Sequence, residues 1–153
     1  MTTSSTTTAA SAAYASPEIM HTLGQIFEME MAGIIRYMHY SFMIMGYNRI
    51  PIQAWFREQA TESMQHAVII GEKITALGGH PPLVSAPIED TKTHSIDEIL
   101  RESLAFETAT LSKYKELVGL SGDDIALEEL ARGFVKTETE HIEEVQKMLR
   151  RDR

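Results

Sequence analysis

From Ser16 onward the apolar residues recur every three or four positions, and no stretch alternates with the period of two that a half-buried strand requires. This spacing predicts four helices. The first opens at Ser16-Pro17-Glu18-Ile19, where Ser16 can cap and proline suits the first helical position. Its stripe runs Leu23, Ile26, Glu30, Ile34, Tyr37, Ser41 and Ile44, ending near Gly46. The second begins at Pro51 and carries Trp55, Gln59, Glu62, His66, Ile70, Ile74 and Leu77. Leu77-Gly78-Gly79, followed by Pro81 and Pro82, stops it. A capping box, Ser95 with Glu98, opens the third, whose stripe is Ile99, Ser103, Glu107, Leu111, Tyr114 and Val118. The fourth follows a segment in which Ser121, Asp123 or Asp124 could cap. Its stripe is Leu127, Leu130, Phe134, Glu138, His141, Val145 and Met148.

The connections imply a topology. Short links after the first and third helices make each pair antiparallel neighbours. Residues 78 to 95 are far more than a tight turn needs; about 18 extended residues reach roughly 59 Å at ~3.3 Å each. A helix of about 27 residues is only ~40 Å long. The long connection can therefore return along the whole bundle and start the third helix parallel to the second. The expected fold is all-α: two antiparallel hairpins joined by one long crossover.

Each apolar stripe is interrupted at its middle by a glutamate: Glu30, Glu62, Glu107 and Glu138. Two stripes also carry histidine, His66 and His141. Buried carboxylates cost several kcal/mol each unless paired or metal-bound. Taken singly, each has a bland explanation: a misjudged helix face for a glutamate, a hydrogen-bonded core residue for a histidine. Their joint placement favours metal, because one glutamate on each of two helices and a Glu/His pair on the other two is how helical bundles build two-metal sites. Four carboxylates balance two divalent cations. Carboxylate-plus-imidazole donors suit iron or manganese, with zinc a competitor.

Composition narrows the function. The 153 residues suit one domain with a real core, expected over residues 16–150. Residues 1–15 form a Ser/Thr/Ala-rich tail that reads as disordered and not as a signal peptide. The net charge of −8 argues against nucleic acid as a partner. No apolar run approaches a membrane span. The absence of cysteine excludes disulfides and thiolate metal sites, and fits a cytoplasmic location.

Four motifs carry a family resemblance: Glu30 to Tyr37 (EMAGIIRY), Ser63 to Ala67 (SMQHA), Leu104 to Glu107 (LAFE) and Glu138 to Glu144 (ETEHIEE). From about residue 19 to 149 the chain resembles the bacterioferritin branch of the ferritin-like superfamily. The resemblance implies a ferritin-like four-helix bundle and a di-iron ferroxidase centre that oxidises Fe(II) with O2 or H2O2, for iron storage and detoxification. It implies Glu30, His66, Glu107, Glu138 and His141 as metal ligands, Tyr37 beside the centre, and a closed homo-oligomer, a cage of about 12 or 24 subunits. Met64 matches the methionine that ligates haem b between paired subunits, and the apolar Met43, Met45 and Ile50 are expected at a subunit contact.

The chain also departs from the family. The family's bridging glutamate, three residues before the second-helix histidine, aligns with Ser63. Arg153 ends the sequence shortly after His141, which leaves no room for a fifth helix. On an ideal helix Glu62 lies about 40° to one side of His66 and Ser63 about 60° to the other, so Glu62 is the candidate replacement for the missing bridge. Two competing functions remain: a haem-binding or structural subunit with a degenerate centre, and a di-metal oxidase or peroxidase that stores no mineral.

Overall fold

The computed structural model describes residues 15–150; the expected N-terminal tail lies almost wholly outside them. Those residues form four helices and no strand: α1 Pro17–Met43, α2 Arg49–Ala76, α3 Ile96–Leu120 and α4 Ile125–Leu149. Among the described residues no helix is long and apolar enough to cross a membrane.

Local chemistry sets the boundaries. The Ile19 N–H donates to Ser16 Oγ at 3.3 Å, which caps α1 ahead of Pro17. The second helix starts at Arg49, two residues before the expected Pro51. Proline is tolerated in a first turn because its missing N–H has no intrahelical acceptor there. Arg49 also reaches back, and its guanidinium donates to the carbonyl oxygens of Ile44 and Ser41 at the open end of α1. Gly78, at φ +84°, ends α2; its N–H donates to Thr75 and that of Gly79 to Ile74, a Schellman closure. Ser95 caps α3 through the Glu98 N–H, but the Glu98 carboxylate accepts from Thr93 and does not return to Ser95. Asp124 caps α4, accepting from Leu127 N–H at 3.0 Å.

The cross-helix contacts fix the directions. Glu30 meets His66 while Arg57 meets Ser41, so α1 and α2 run antiparallel. Tyr37 meets Glu107 while Thr22 meets Glu116, so α1 and α3 are antiparallel as well. Helices α2 and α3 are therefore parallel, as the crossover requires. The crossover runs beside α1, where the Ala86 N–H donates to the Glu28 carbonyl at 2.8 Å.

The buried residues form two apolar groups. One gathers Leu23, Ile26, Ile70, Ile74, Leu117 and Leu127 with Tyr114 and Phe134; the other gathers Tyr37, Tyr40, Ile44, Phe56, Ile99 and Val145. Between them lies a layer of buried Glu30, His66, Glu107 and Glu138. Met45 and Ile50 are exposed as expected. Met43 is not: as the last residue of α1, three after the buried Tyr40, it packs partly buried against the second group, whereas Met45 lies past the helix end.

Candidate metal centre

Six titratable residues converge on the polar layer, at least one from each helix. Glu30 and Glu107 come from the long stripes of α1 and α3, Glu62 and His66 from α2, and Glu138 and His141 from α4. Glu30, Glu107 and Glu138 are each only 3% exposed. Ligand atoms of Glu30, His66 and Glu138 lie within 4.8 Å of one another, and so do those of Glu107, Glu138 and His141. Glu138 belongs to both groups, with Oε1 3.3 Å from His66 Nδ1 and Oε2 3.7 Å from His141 Nδ1.

Glu62 approaches from the other side of the two rings. Its Oε2 is 3.0 Å from His141 Nε2, and its Oε1 is 3.8 Å from His66 Nε2. With its side chain one-third exposed, it stands between the histidines and solvent, outside both three-residue groups. Ser63 is buried but turned against α1: a Cβ on Gly33 would fall 2.7 Å from Ser63 Oγ. Met64 is half exposed, in an apolar groove with Phe27, Met31 and Val68.

Two phenols close the layer. Tyr37 donates to Glu107 Oε1, and Tyr114 donates to Glu30 Oε1 at 2.6 Å. Tyr114 is wholly buried, and its ring stacks on Phe134 at 4.6 Å. Sequence reasoning placed Tyr114 on the α3 stripe but gave it no part in the site. The signal was present: Tyr37 follows Glu30 by seven residues, and Tyr114 follows Glu107 by seven. Seven residues return to nearly the same helix face two turns on.

Protons balance the buried charge here. Burial pushes Glu107 well above the ordinary carboxylate range, and the nearby charges of Glu138 and Glu30 push it further. Burial also raises Glu30, against the opposing bond to His66. Burial would lower His66, but the Glu138 and Glu30 carboxylates override it and hold the imidazole at about 10. Glu138 shows the opposite balance: burial disfavours its charge, yet bonds from Glu107, His141 and His66 keep it ionised, far below the usual range. At neutral pH the layer therefore holds a proton on His66, and burial favours the protonated form of Glu107, where cations could sit. Three buried carboxylates and two imidazoles, compensated by exchangeable protons, fit a pair of divalent ions of the iron, manganese or zinc type.

The ferritin-like domain family matches residues 20–153. The chain belongs to the ferritin-like family. No curated protein matches it. Among solved structures, this ferritin-like chain is similar to a ferritin-like diiron-carboxylate protein from Bacillus anthracis str. Ames, with 23% identity and a TM-score of 0.82 over 87% of this chain and 96% of that one. A bacterioferritin-related dodecameric thioferritin from Bacteroides fragilis gives 20% identity and 0.82 over 89% and 87%. Rhodobacter capsulatus bacterioferritin, a haem-iron structure with a metal-free dinuclear site, gives 20% and 0.78 over 88% and 85%. At these identities the likeness establishes the shared fold.

Proposed function

We propose that this ferritin-like protein is a di-iron ferroxidase that takes Fe(II) as substrate and oxidises it to Fe(III), for iron storage and detoxification in a reducing, cytoplasmic compartment. One observation carries the reading: two buried groups of carboxylate and imidazole donors share Glu138 at the waist of the bundle. Glu30, His66 and Glu138 would hold one ion; Glu107, Glu138 and His141 would hold the other. Held as a pair, the ions would each supply one electron to O2 or H2O2.

The chain's own residues prepare the site. The apolar groups above and below the layer keep out water, so the carboxylate charges act at full strength on the ions. Tyr37 and Tyr114 fix the orientation of Glu107 and Glu30. Glu62 supplies the fourth carboxylate in place of the glutamate that Ser63 replaces, acting at the outer nitrogens of both imidazoles. It thereby sets which nitrogen of each ring turns inward to Glu138. Replacing Glu62 with alanine should slow aerobic Fe(II) oxidation and lower the stoichiometry of bound metal; unchanged values for both would remove Glu62 from the centre.

The relatives support self-association. The B. fragilis protein is dodecameric, and this chain exposes Ile35, Phe42, Met64 and Val68 along α1 and α2. We assign that face to packing against a second copy within a closed oligomer, with haem b at Met64 as the competing use. Haem-supplied protein without a Soret band supports packing alone, whereas a band lost on Met64→Leu would place haem there. Aerobic Fe(II) oxidation with two ions per chain tests the reading as a whole: a protein that binds no metal at Glu138 would leave only a structural subunit.

A further inference from the structure

A cavity of about 220 Å³ opens between α1, the end of the crossover and α3, and none of the six metal-centre residues lines it. Arg36 of α1, Glu89, Asp90 and Lys92 of the crossover and Glu102 of α3 set charges of both signs around it. Among the described residues none of these five forms an ion pair. Other bonds hold them apart. The Arg36 guanidinium lies 5.1 Å from the centre of the Phe106 ring, and its Nη1 donates to Tyr40 Oη at 3.2 Å. Its buried Nε has no partner, an exception that calls for an acceptor. Glu102 accepts from Tyr40 Oη at 3.0 Å and from Thr91 Oγ1 at 2.6 Å. Lys92 takes φ +55°, a strained backbone for a residue with a side chain, while its N–H donates to Asp90 Oδ1 at 3.0 Å.

We propose that this cavity is a second binding site, independent of the metal layer, for a small zwitterion of the amino-acid type. Size and charge select that class. A dry cavity of roughly 150 Å³ accepts benzene, so this one takes a molecule somewhat larger, and excludes a nucleotide or a haem. Three carboxylates face two cations, with His39 counted neutral, so a multiply charged anion is disfavoured. A compact cation site is disfavoured too: among the described residues no three of these groups bring ligand atoms within 4.8 Å of one another. A zwitterion satisfies both signs at once. Its carboxylate accepts from the free Nε and Nη2 edge of Arg36, the fork that suits a carboxylate. Its ammonium donates to Glu102, whose oxygens each keep a second lone pair, and to the crossover carboxylates. An apolar side chain then lies against Ile35 and Ile88, which are 51% and 36% exposed. Ile35 also belongs to the face given above to a second copy, so the cavity opens at the rim of that face.

The test is calorimetric titration of the full chain with three probes of one shape: L-leucine, isocaproate, which lacks the ammonium, and isoamylamine, which lacks the carboxylate. L-leucine should bind once per chain, and each analogue should bind about 10-fold more weakly or worse, because it leaves one set of charges unpaired. The result should be the same with and without metal, so a failure of the di-metal reading would leave it untouched. Arg36→Lys keeps the charge but removes the fork, and should weaken L-leucine by about 10-fold or more. Crystals soaked in L-leucine should show it between α1 and residues 88–93. No heat from L-leucine at millimolar concentration would overturn the inference. So would an analogue that binds as tightly as L-leucine, unchanged affinity in Arg36→Lys, or a side chain of a second copy filling the cavity. Should Arg36→Lys not fold, the comparison of the three probes on wild type decides alone.

Discussion

Glu138 is the residue on which the site turns, because both ligand groups contain it. Glu138→Ala should abolish tight binding of both ions, whereas Glu30→Ala should remove one; metal analysis after dialysis reads the difference. Protonation makes a second prediction at this scale. His66, held at about 10, carries a proton at neutral pH in the metal-free protein, and burial shifts Glu107 toward its protonated form. Metal must displace such protons, so loading in weakly buffered solution should release protons and affinity should rise with pH. The linkage has a definite sign. A folded-state value above the unfolded one of 6.5 means that the His66 imidazolium contributes fully below pH 6.5. That contribution is lost as pH rises through about 10. Glu107 acts in the same direction, since its ionisation in the fold is disfavoured. The melting temperature of metal-free protein should therefore fall between pH 7 and 10, and bound metal should remove most of that slope. A flat metal-free profile would contradict the proton accounting.

At the scale of the helices, the close pass of α1 over α2 depends on Gly33 and Ser63. An alanine Cβ at 33 would sit 2.7 Å from Ser63 Oγ and 3.2 Å from its Cβ, too near for ordinary contact. Gly33→Ala should cost about 1–3 kcal/mol of stability, and adding Ser63→Gly should recover much of it; denaturant unfolding of the double-mutant cycle measures the coupling. This pair also shows what could be read from the chain. Local spacing and length found all four helices, the caps at Ser16 and Ser95 and the long crossover, while the cap of α4 stayed open among Ser121, Asp123 and Asp124 until the Leu127 N–H settled it on Asp124. The start of α2 was misplaced because Pro51 marks a first turn without marking its first residue. Glu30, His66, Glu107 and Glu138 stood out as charges on apolar stripes. Tyr114 did not, because a tyrosine on such a stripe looks like ordinary core until the antiparallel pairing of α1 and α3 brings it to Glu30. The turn of Ser63 toward Gly33 likewise depends on a neighbouring helix.

Across the whole molecule, the polar layer divides the core into two apolar groups, each closed by its own helix ends. The layer contributes little hydrophobic stabilisation, so the bundle should gain stability when ions bind it. Ligand linkage adds about 2.7 kcal/mol when free metal exceeds the dissociation constant a hundredfold, and chelation should lower the melting temperature accordingly. A closed oligomer built on the α1–α2 face would appear in light scattering as one large species, and a stable monomer would defeat it. The central claim concerns the layer itself. Anomalous diffraction at the iron edge, on crystals loaded anaerobically with Fe(II), should show two peaks inside the bundle. Both should be bonded to Glu138, one shared with Glu30 and His66 and the other with Glu107 and His141. Well-ordered crystals with no iron peak at Glu138 would contradict the account.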